Sequence, residues 1–284
     1  MKIEKVGVIG AGTMGHGIAQ VCAMAGCEVV LCDIDAGFVS TGLNKIQANL
    51  HKGVERGKVD EDLAEQSLCR LSGTTDHAVV ADEADLLIEA IPEKLNLKQD
   101  LFRSLQGHAP EHCIYGTNTS SLSVTEIADS VNRPEQVIGM HFFNPVHIMK
   151  LLELVVHEQS SEQVTRTIQE FGARIGKDVI TVRDFPGFAS SRLGVCLGME
   201  AIRMVEQGVA SPRDIDKAME VGYRHPMGPL KLTDLVGLDV RMHIGEYLAR
   251  TLQNPAFEPP ELMRKMVSEG KLGKKSGQGF YDWS

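Results

Sequence analysis

Val6-Gly7-Val8-Ile9-Gly10-Ala11-Gly12-Thr13-Met14-Gly15 reads as a buried strand running into a glycine turn and then a helix. Gly10, Gly12 and Gly15 stand at G-x-G-x-x-G spacing. The first glycine permits a tight turn and the second lets the backbone approach a pyrophosphate. The third lets the helix pack closely on the strand. Gly10, Ala11, Gly12, Thr13, Met14 and Gly15 are therefore candidates for holding a dinucleotide. The helix that follows would turn its unpaired N–H groups and partial positive charge to the phosphates. Three spaced glycines carry little weight alone in a chain with 28 of them, so the flanking sequence has to agree.

It does agree. Ile18, Ala19, Val21, Cys22 and Ala25 give an apolar helix face, and Gly26 is a helix stop. Residues 28–32 (EVVLC) read as the next strand, and Asp33 ends it 23 positions beyond Gly10. A carboxylate about 20 residues after the first glycine accepts hydrogen bonds from a ribose 2′-OH and repels a 2′-phosphate. Cys32, Ile34 and Asp35 offer no cation for such a phosphate, so NAD is expected over NADP. A solvated acid at a strand end is the plainer alternative, and it leaves the spacing unexplained.

At 284 residues the chain suits two domains, and its net charge of -9 argues against nucleic acid as a main partner. The six cysteines, Cys22, Cys27, Cys32, Cys69, Cys113 and Cys196, include no C-x-x-C pair. They read as free thiols in a reducing, cytoplasmic setting, with no metal expected. The first strand follows the start so closely that no signal or transit peptide is expected. No apolar run approaches membrane-spanning length.

Residues 38–71 read as mostly helical, with a basic segment of Lys45, Lys52, Arg56 and Lys58 that is most simply a solvated face. Residues 85–91 (DLLIEAI) read as a buried strand ending at Pro92-Glu93, followed by a helix through Lys98, Leu101, Phe102 and Leu105. Residues 113–117 form another strand, ending in Asn118-Thr119-Ser120-Ser121. That cluster lies where open α/β sheets bind ligands, although one of the four is also expected to cap the helix beginning near Val124. The strand at 137–140 delivers His141, and residues 151–156 (LLELVV) are apolar except for Glu153. A helix at 161–175 and a strand at 179–182 complete an α/β domain over residues 1–185, with a Rossmann-like, doubly wound, mainly parallel sheet. Asp184-Phe185-Pro186-Gly187-Phe188 marks the boundary. Residues 186–284 read as all-α, with helices after 190, after Ser211-Pro212, and around 239–252 and 260–269.

Oxidising an alcohol with NAD needs a group to take the hydroxyl proton, and histidine titrates in the right range. Of ten histidines, His141 ends a central strand, and the polar Asn144 follows within three residues. Glu153, buried in an apolar strand, needs a partner. A His–Glu pair would orient the imidazole and favour its charged form as the proton arrives. Two unrelated residues fit the spacing equally well.

The chain resembles the 3-hydroxyacyl-CoA dehydrogenase family over essentially its whole length, and is most similar to the bacterial 3-hydroxybutyryl-CoA dehydrogenases. The resemblance rests on Gly10–Gly15, Asn118-Thr119-Ser120-Ser121, His141-Phe142-Phe143-Asn144-Pro145, Pro186-Gly187-Phe188, His225-Pro226-Met227-Gly228-Pro229 and Lys275-Ser276-Gly277-Gln278-Gly279-Phe280-Tyr281. It implies that His141 is the base, paired with Glu153, and that Ser120 and Asn144 contact substrate near the reacting carbon. It implies that Asp33 holds the adenosine ribose, and that Glu93, Lys98, Asn118 and Lys275 line the cofactor site. It places Asn49, Lys52 and Arg56 in a CoA-contacting segment, raising the basic run to a phosphate clamp. It also implies a homodimer formed through the helical domain. Many relatives have Asn directly before Arg after Pro-Gly-Phe; here the pair is Ser191-Arg192, which puts the substrate contact at 191 in doubt.

The expected activity is the NAD-dependent interconversion of a 3-hydroxyacyl-CoA, short-chain 3-hydroxybutyryl-CoA first, and its 3-ketoacyl-CoA. The family's setting is β-oxidation or butyrate metabolism. Alternatives are 3-hydroxyadipyl-CoA, a free hydroxy acid, or a non-catalytic NAD-binding protein. The free acid fits less well because such sites need a cation for the substrate carboxylate, whereas Phe142-Phe143 is apolar.

Overall fold

The glycine stretch forms β1 (Lys5–Ile9), a turn and α1 (Gly15–Met24) in the computed structural model, which describes residues 1–284. β2 (Glu28–Cys32), α2 (Ala36–Glu55), α3 (Glu61–Cys69), β3 (Leu71–Thr74) and α4 (His77–Ala81) follow. Then come β4 (Leu86–Glu89), α5 (Leu95–Leu105), β5 (Ile114–Thr117), α6 (Val124–Ala128) and β6 (Val137–Phe142). β7 (Leu151–Val156), α7 (Glu162–Arg174) and β8 (Asp178–Arg183) close this part of the chain. The strands form one sheet in the order β3-β2-β1-β4-β5-β6-β7-β8. Every pairing is parallel except β6 with β7. Crossovers of successive parallel strands to either side of β1 make it doubly wound.

The inner strands are continuous apolar runs because both faces of the sheet are covered. β4, β5 and β6 are buried at every position. One core spans Val8, Ile18, Leu31, Ile46, Leu86, Ile88, Ile138, Leu154 and Ile168. Helix starts follow the capping chemistry of the sequence. Asp35, Asp60, Asp76 and Ser161 accept N–H groups at the starts of α2, α3, α4 and α7.

Three features depart from the sequence reading. The helical stretch ends at Cys69, and Leu71–Thr74 adds an edge strand. Its Ser72 and Gly73 are exposed, so it carries no apolar run to announce it. α6 is capped by Ser123, whose side chain accepts from Glu126 N; none of residues 118–121 does that work. Pro229 opens a helix that the Pro-rich break had concealed.

The chain divides between Asp184 and Phe185. Phe185–Ser284 is helical: α8 (Ser190–Glu206), α9 (Pro212–Lys217), α10 (Pro229–Val236), α11 (Leu238–Leu252) and α12 (Glu261–Ser268). Val195, Met199, Ile202, Ile215, Leu230, Leu238, Leu248 and Met263 are among its core residues. Two buried acids organise it. Asp216 accepts from Leu230 N at 2.8 Å, Lys231 N at 2.9 Å and Tyr281 OH at 2.6 Å. Asp234 accepts from Phe280 N, Tyr281 N and Trp283 Nε1, each at 2.9 Å. A Cβ at 279 would lie 2.1 Å from Asp234 Oδ1, which fixes glycine in the C-terminal Gly-Gln-Gly segment. No helix is long and apolar enough to cross a membrane.

Candidate active site

The glycine turn has the geometry its spacing promised. Gly10 has φ +101°, and a Cβ there would lie 2.5 Å from Ala90 O. At Gly15 a Cβ would stand 1.6 Å from Gly10 O, so helix and strand could not pack with any side chain. At Gly12 a Cβ would meet nothing within 4 Å. The second glycine therefore faces open space, as a backbone meant to be approached by phosphate should. α1 has no capping side chain and no acid in its first turn, which leaves its N-terminal field unopposed.

That space is part of a cavity of about 920 Å³ at the carboxyl ends of β1, β2 and β4. Gly10, Ala11, Gly12, Thr13, Met14 and Asp33 line it. Phe38, Thr41 and Lys45 of α2 line it too, with Leu97 and Leu101 of α5. Asp33 Oδ2 accepts Ala11 N at 2.7 Å, and Oδ1 accepts Ile34 N at 2.7 Å. These bonds fix the carboxylate at the end of β2 and tie it to the glycine turn. The shape and the donors fit a dinucleotide with an unphosphorylated ribose.

Glu93, Lys98, Thr119 and Ser120 form a second group at the ends of β4 and β5. Lys98 Nζ donates to Glu89 Oε1 at 2.6 Å and lies 3.2 Å from Glu93 Oε2. Glu89 Oε1 also accepts Ile91 N at 2.8 Å, and its Oε2 accepts Thr117 Oγ1 at 2.7 Å. Burial pushes the Glu89 carboxyl above its ordinary range, although Lys98 and Thr117 pull it down. Burial acts upward on Glu93 as well, but Lys98, Thr119 and the Ser120 N–H outweigh it and hold that carboxyl below its ordinary value. Glu93 Oε1 gathers Thr119 Oγ1 at 2.6 Å, Ser120 N at 2.8 Å and Ser120 Oγ at 3.2 Å. One carboxylate therefore sets the shape of the Ser120 loop. Sequence reasoning passed over Glu89. The signal was the same as for Glu153: a lone acid inside an apolar strand.

His141 and Glu153 face each other directly in the antiparallel register of β6 and β7. His141 Nδ1 lies 2.6 Å from Glu153 Oε2, with Glu153 fully buried. An imidazole held this way at Nδ1 can take a proton at Nε2, while the carboxylate stabilises the charge that forms. The Phe143 ring stands 4.5 Å from the imidazole. Asn118 Oδ1 accepts Phe142 N at 2.9 Å, which ties the end of β5 to the strand carrying His141. Asn144 is exposed in the loop after that strand.

The remaining candidates lie elsewhere. Asn49 Nδ2 donates to Gln20 Oε1 at 3.2 Å, and Lys52 and Arg56 are exposed. None of the three lines the large cavity. They continue the face of α2 that carries Thr41 and Lys45, at helical spacing. In the helical unit, Lys275 Nζ pairs with Asp239 at 2.6 Å, and Ser191 sits in the first turn of α8.

Residues 5–185 match the NAD binding domain of 3-hydroxyacyl-CoA dehydrogenase, and residues 187–283 match its C-terminal domain. The chain belongs to the 3-hydroxyacyl-CoA dehydrogenase family. It is 42% identical over 283 residues to a probable 3-hydroxybutyryl-CoA dehydrogenase of Bacillus subtilis, covering 100% of this chain and 98% of that one. It is 40% identical over 287 residues to the human mitochondrial hydroxyacyl-coenzyme A dehydrogenase, covering 99% and 91%. A solved (S)-3-hydroxybutyryl-CoA dehydrogenase of Ralstonia eutropha superposes with a TM-score of 0.95 at 38% identity, over 100% of each chain. This member of the family is thus an NAD-dependent oxidoreductase, as the glycine turn and Asp33 foretold. Lys45, read from sequence within a basic run, lines the same cavity as Asp33 because α2 brings it there.

Proposed function

We propose that this dehydrogenase interconverts short-chain 3-hydroxyacyl-CoA and 3-ketoacyl-CoA, with 3-hydroxybutyryl-CoA as the reference substrate. The His141–Glu153 pair, 2.6 Å apart, carries the reading. His141 takes the proton of the 3-hydroxyl, and buried Glu153 stabilises the imidazolium. Bound NAD+ supplies the acceptor for the hydride leaving C3. Gly10, Ala11, Gly12, Thr13, Met14 and Gly15 hold the pyrophosphate, and Asp33 holds the ribose. Ser120 and Asn144 orient the substrate at the reacting carbon. Glu93 and Asn118 line the cofactor site, and Lys98 acts there through Glu93. Lys275 is assigned to cofactor binding as well.

The basic face of α2 supports the thioester half of the assignment. Asn49, Lys52 and Arg56 present donors in line with Lys45, which suits the several phosphate charges of CoA. The helical domain is proposed to form a homodimer, and the free cysteines suit a cytoplasmic location. NADH oxidation with acetoacetyl-CoA tests the whole reading against free acetoacetate and against NADPH. Turnover of acetoacetyl-CoA with NADH is expected; turnover of the free acid alone, or of neither, rejects it.

A further inference from the structure

Residues 143–150 join β6 to β7, and Asn144 stands in this loop three residues after His141. Of residues 144–150 only Val146 is buried. A loop with so few buried contacts is free to move, whereas a group that orients substrate has to be held closely. Two anchors hold it. Val146 packs on α1, where a Cβ at Gly17 would lie 2.9 Å from Val146 Cβ. Pro145 O accepts Ile148 N and Met149 N, each at 2.9 Å, which closes the segment into a single turn. The second anchor is Lys177, whose Nζ donates to Val146 O and, at 2.8 Å, to Met149 O.

Lys177 reaches the loop because of where α7 stops. Gly176 has φ +76°, and Lys177 N donates to Gly172 O at 2.9 Å, so the chain leaves the helix through a glycine stop. Lys177 then stands immediately before β8 and is 7% exposed. Asp178 N donates to Lys150 O at 2.8 Å and draws the end of the loop to the same place. A buried ammonium is costly without a carboxylate. The acidic group acting on Lys177 is the Cys22 thiol of α1, not an Asp or Glu, and burial holds the ammonium below its ordinary value. An apolar side chain here would avoid that cost but would leave Val146 O without this donor.

Resting on the dehydrogenase reading, in which Asn144 orients the substrate, we propose that Lys177 is a positioning residue for the reaction: its ammonium fixes the Val146 and Met149 carbonyls and so sets where Asn144 stands relative to His141. The imidazole is held separately, by Glu153. Loss of Lys177 therefore displaces Asn144 and leaves the base in place.

A double-mutant cycle on the full-length protein tests this. Lys177→Met should lower kcat/KM for acetoacetyl-CoA with NADH by about 10- to 100-fold, mostly in kcat, as displacement of an orienting group does. The Kd for NADH, read by fluorescence titration, should not change. In an Asn144→Ala background the same substitution should cost almost nothing further, because the group it positions is already gone. A residue serving only the fold would cost the same factor in both backgrounds. Lys177→Gln keeps an N–H donor without the charge and should show a smaller loss of the same kind, so the cycle can be read even if Lys177→Met fails to fold. Equal losses in both backgrounds, a loss of NADH affinity as large as the loss of kcat/KM, or failure of both Lys177 variants to fold overturns this proposal alone. An Asn144→Ala protein as active as the wild type overturns it together with the role of Asn144. Absence of turnover by the wild type overturns the dehydrogenase reading itself.

Discussion

Lys98 donates to Glu89 at 2.6 Å and lies 3.2 Å from Glu93, so one enclosed ammonium joins a fully buried carboxylate to one whose side chain is 35% exposed. The pair is a liability as well as a support, because each charge depends on the other being present. Lys98→Met should leave Glu89 uncompensated and destabilise the protein by about 3–5 kcal/mol. The double variant Lys98→Met, Glu89→Leu should recover most of that loss. Urea denaturation measures both. Strictly additive losses in the double variant would show that the two charges are not coupled.

Glu93 gives the same network a pH dependence of known sign. Its carboxyl is held below its ordinary value in the fold. The stability it contributes is therefore complete above an ordinary value of about 4.5, and is lost as pH falls through the depressed folded value. Glu89 is raised and has the opposite sign, since protonating it relieves the cost of burying its charge. Glu93→Gln should flatten the fall of Tm with acidification below about pH 4.5. Parallel acid limbs for the variant and the wild type would reject this role.

The doubly wound fold was legible because each inner strand is a continuous apolar run and each glycine of the turn has its own steric reason. β3 was not, because an exposed edge strand with Ser72 and Gly73 has no such run. Asp33 could be read from its spacing, since the strand before it fixes where its carboxylate stands. His141 and Glu153 were visible as residues, but their pairing depends on an antiparallel register that only the fold supplies. Lys45 was visible only as one of a basic run, for a related reason. A basic residue on a helix reads as a solvated face until the helix is placed against a cavity or a second helix.

The His141–Glu153 bond makes two substitutions differ in kind. His141→Gln removes the base and should lower kcat by about 10²- to 10⁴-fold. Glu153→Gln keeps the shape of the partner but removes its charge. It should lower kcat while leaving the KM for acyl-CoA near the wild-type value, because the loss falls on the charged transition state. Steady-state rates with acetoacetyl-CoA and NADH separate the effects. An unchanged kcat in His141→Gln would remove His141 from the chemistry.

Asp33 and Lys45 line one cavity with opposite charges, and that opposition should govern cofactor choice. Asp33 is tied to the Ala11 N–H at 2.7 Å, so its carboxylate cannot swing aside for a 2′-phosphate. Asp33→Ser removes the repulsion and leaves Lys45 as the charged group available to that phosphate. The variant should bind NADPH at least about 10-fold more tightly relative to NADH than the wild type does, from one charge-assisted contact. Adding Lys45→Met should return most of that gain, whereas removing Asp33 alone would leave it in place. Fluorescence titration with both reduced cofactors reads the four Kd ratios. If Lys45→Met leaves the ratio of the Asp33→Ser protein unchanged, Lys45 faces the cavity without meeting the ribose end of the cofactor.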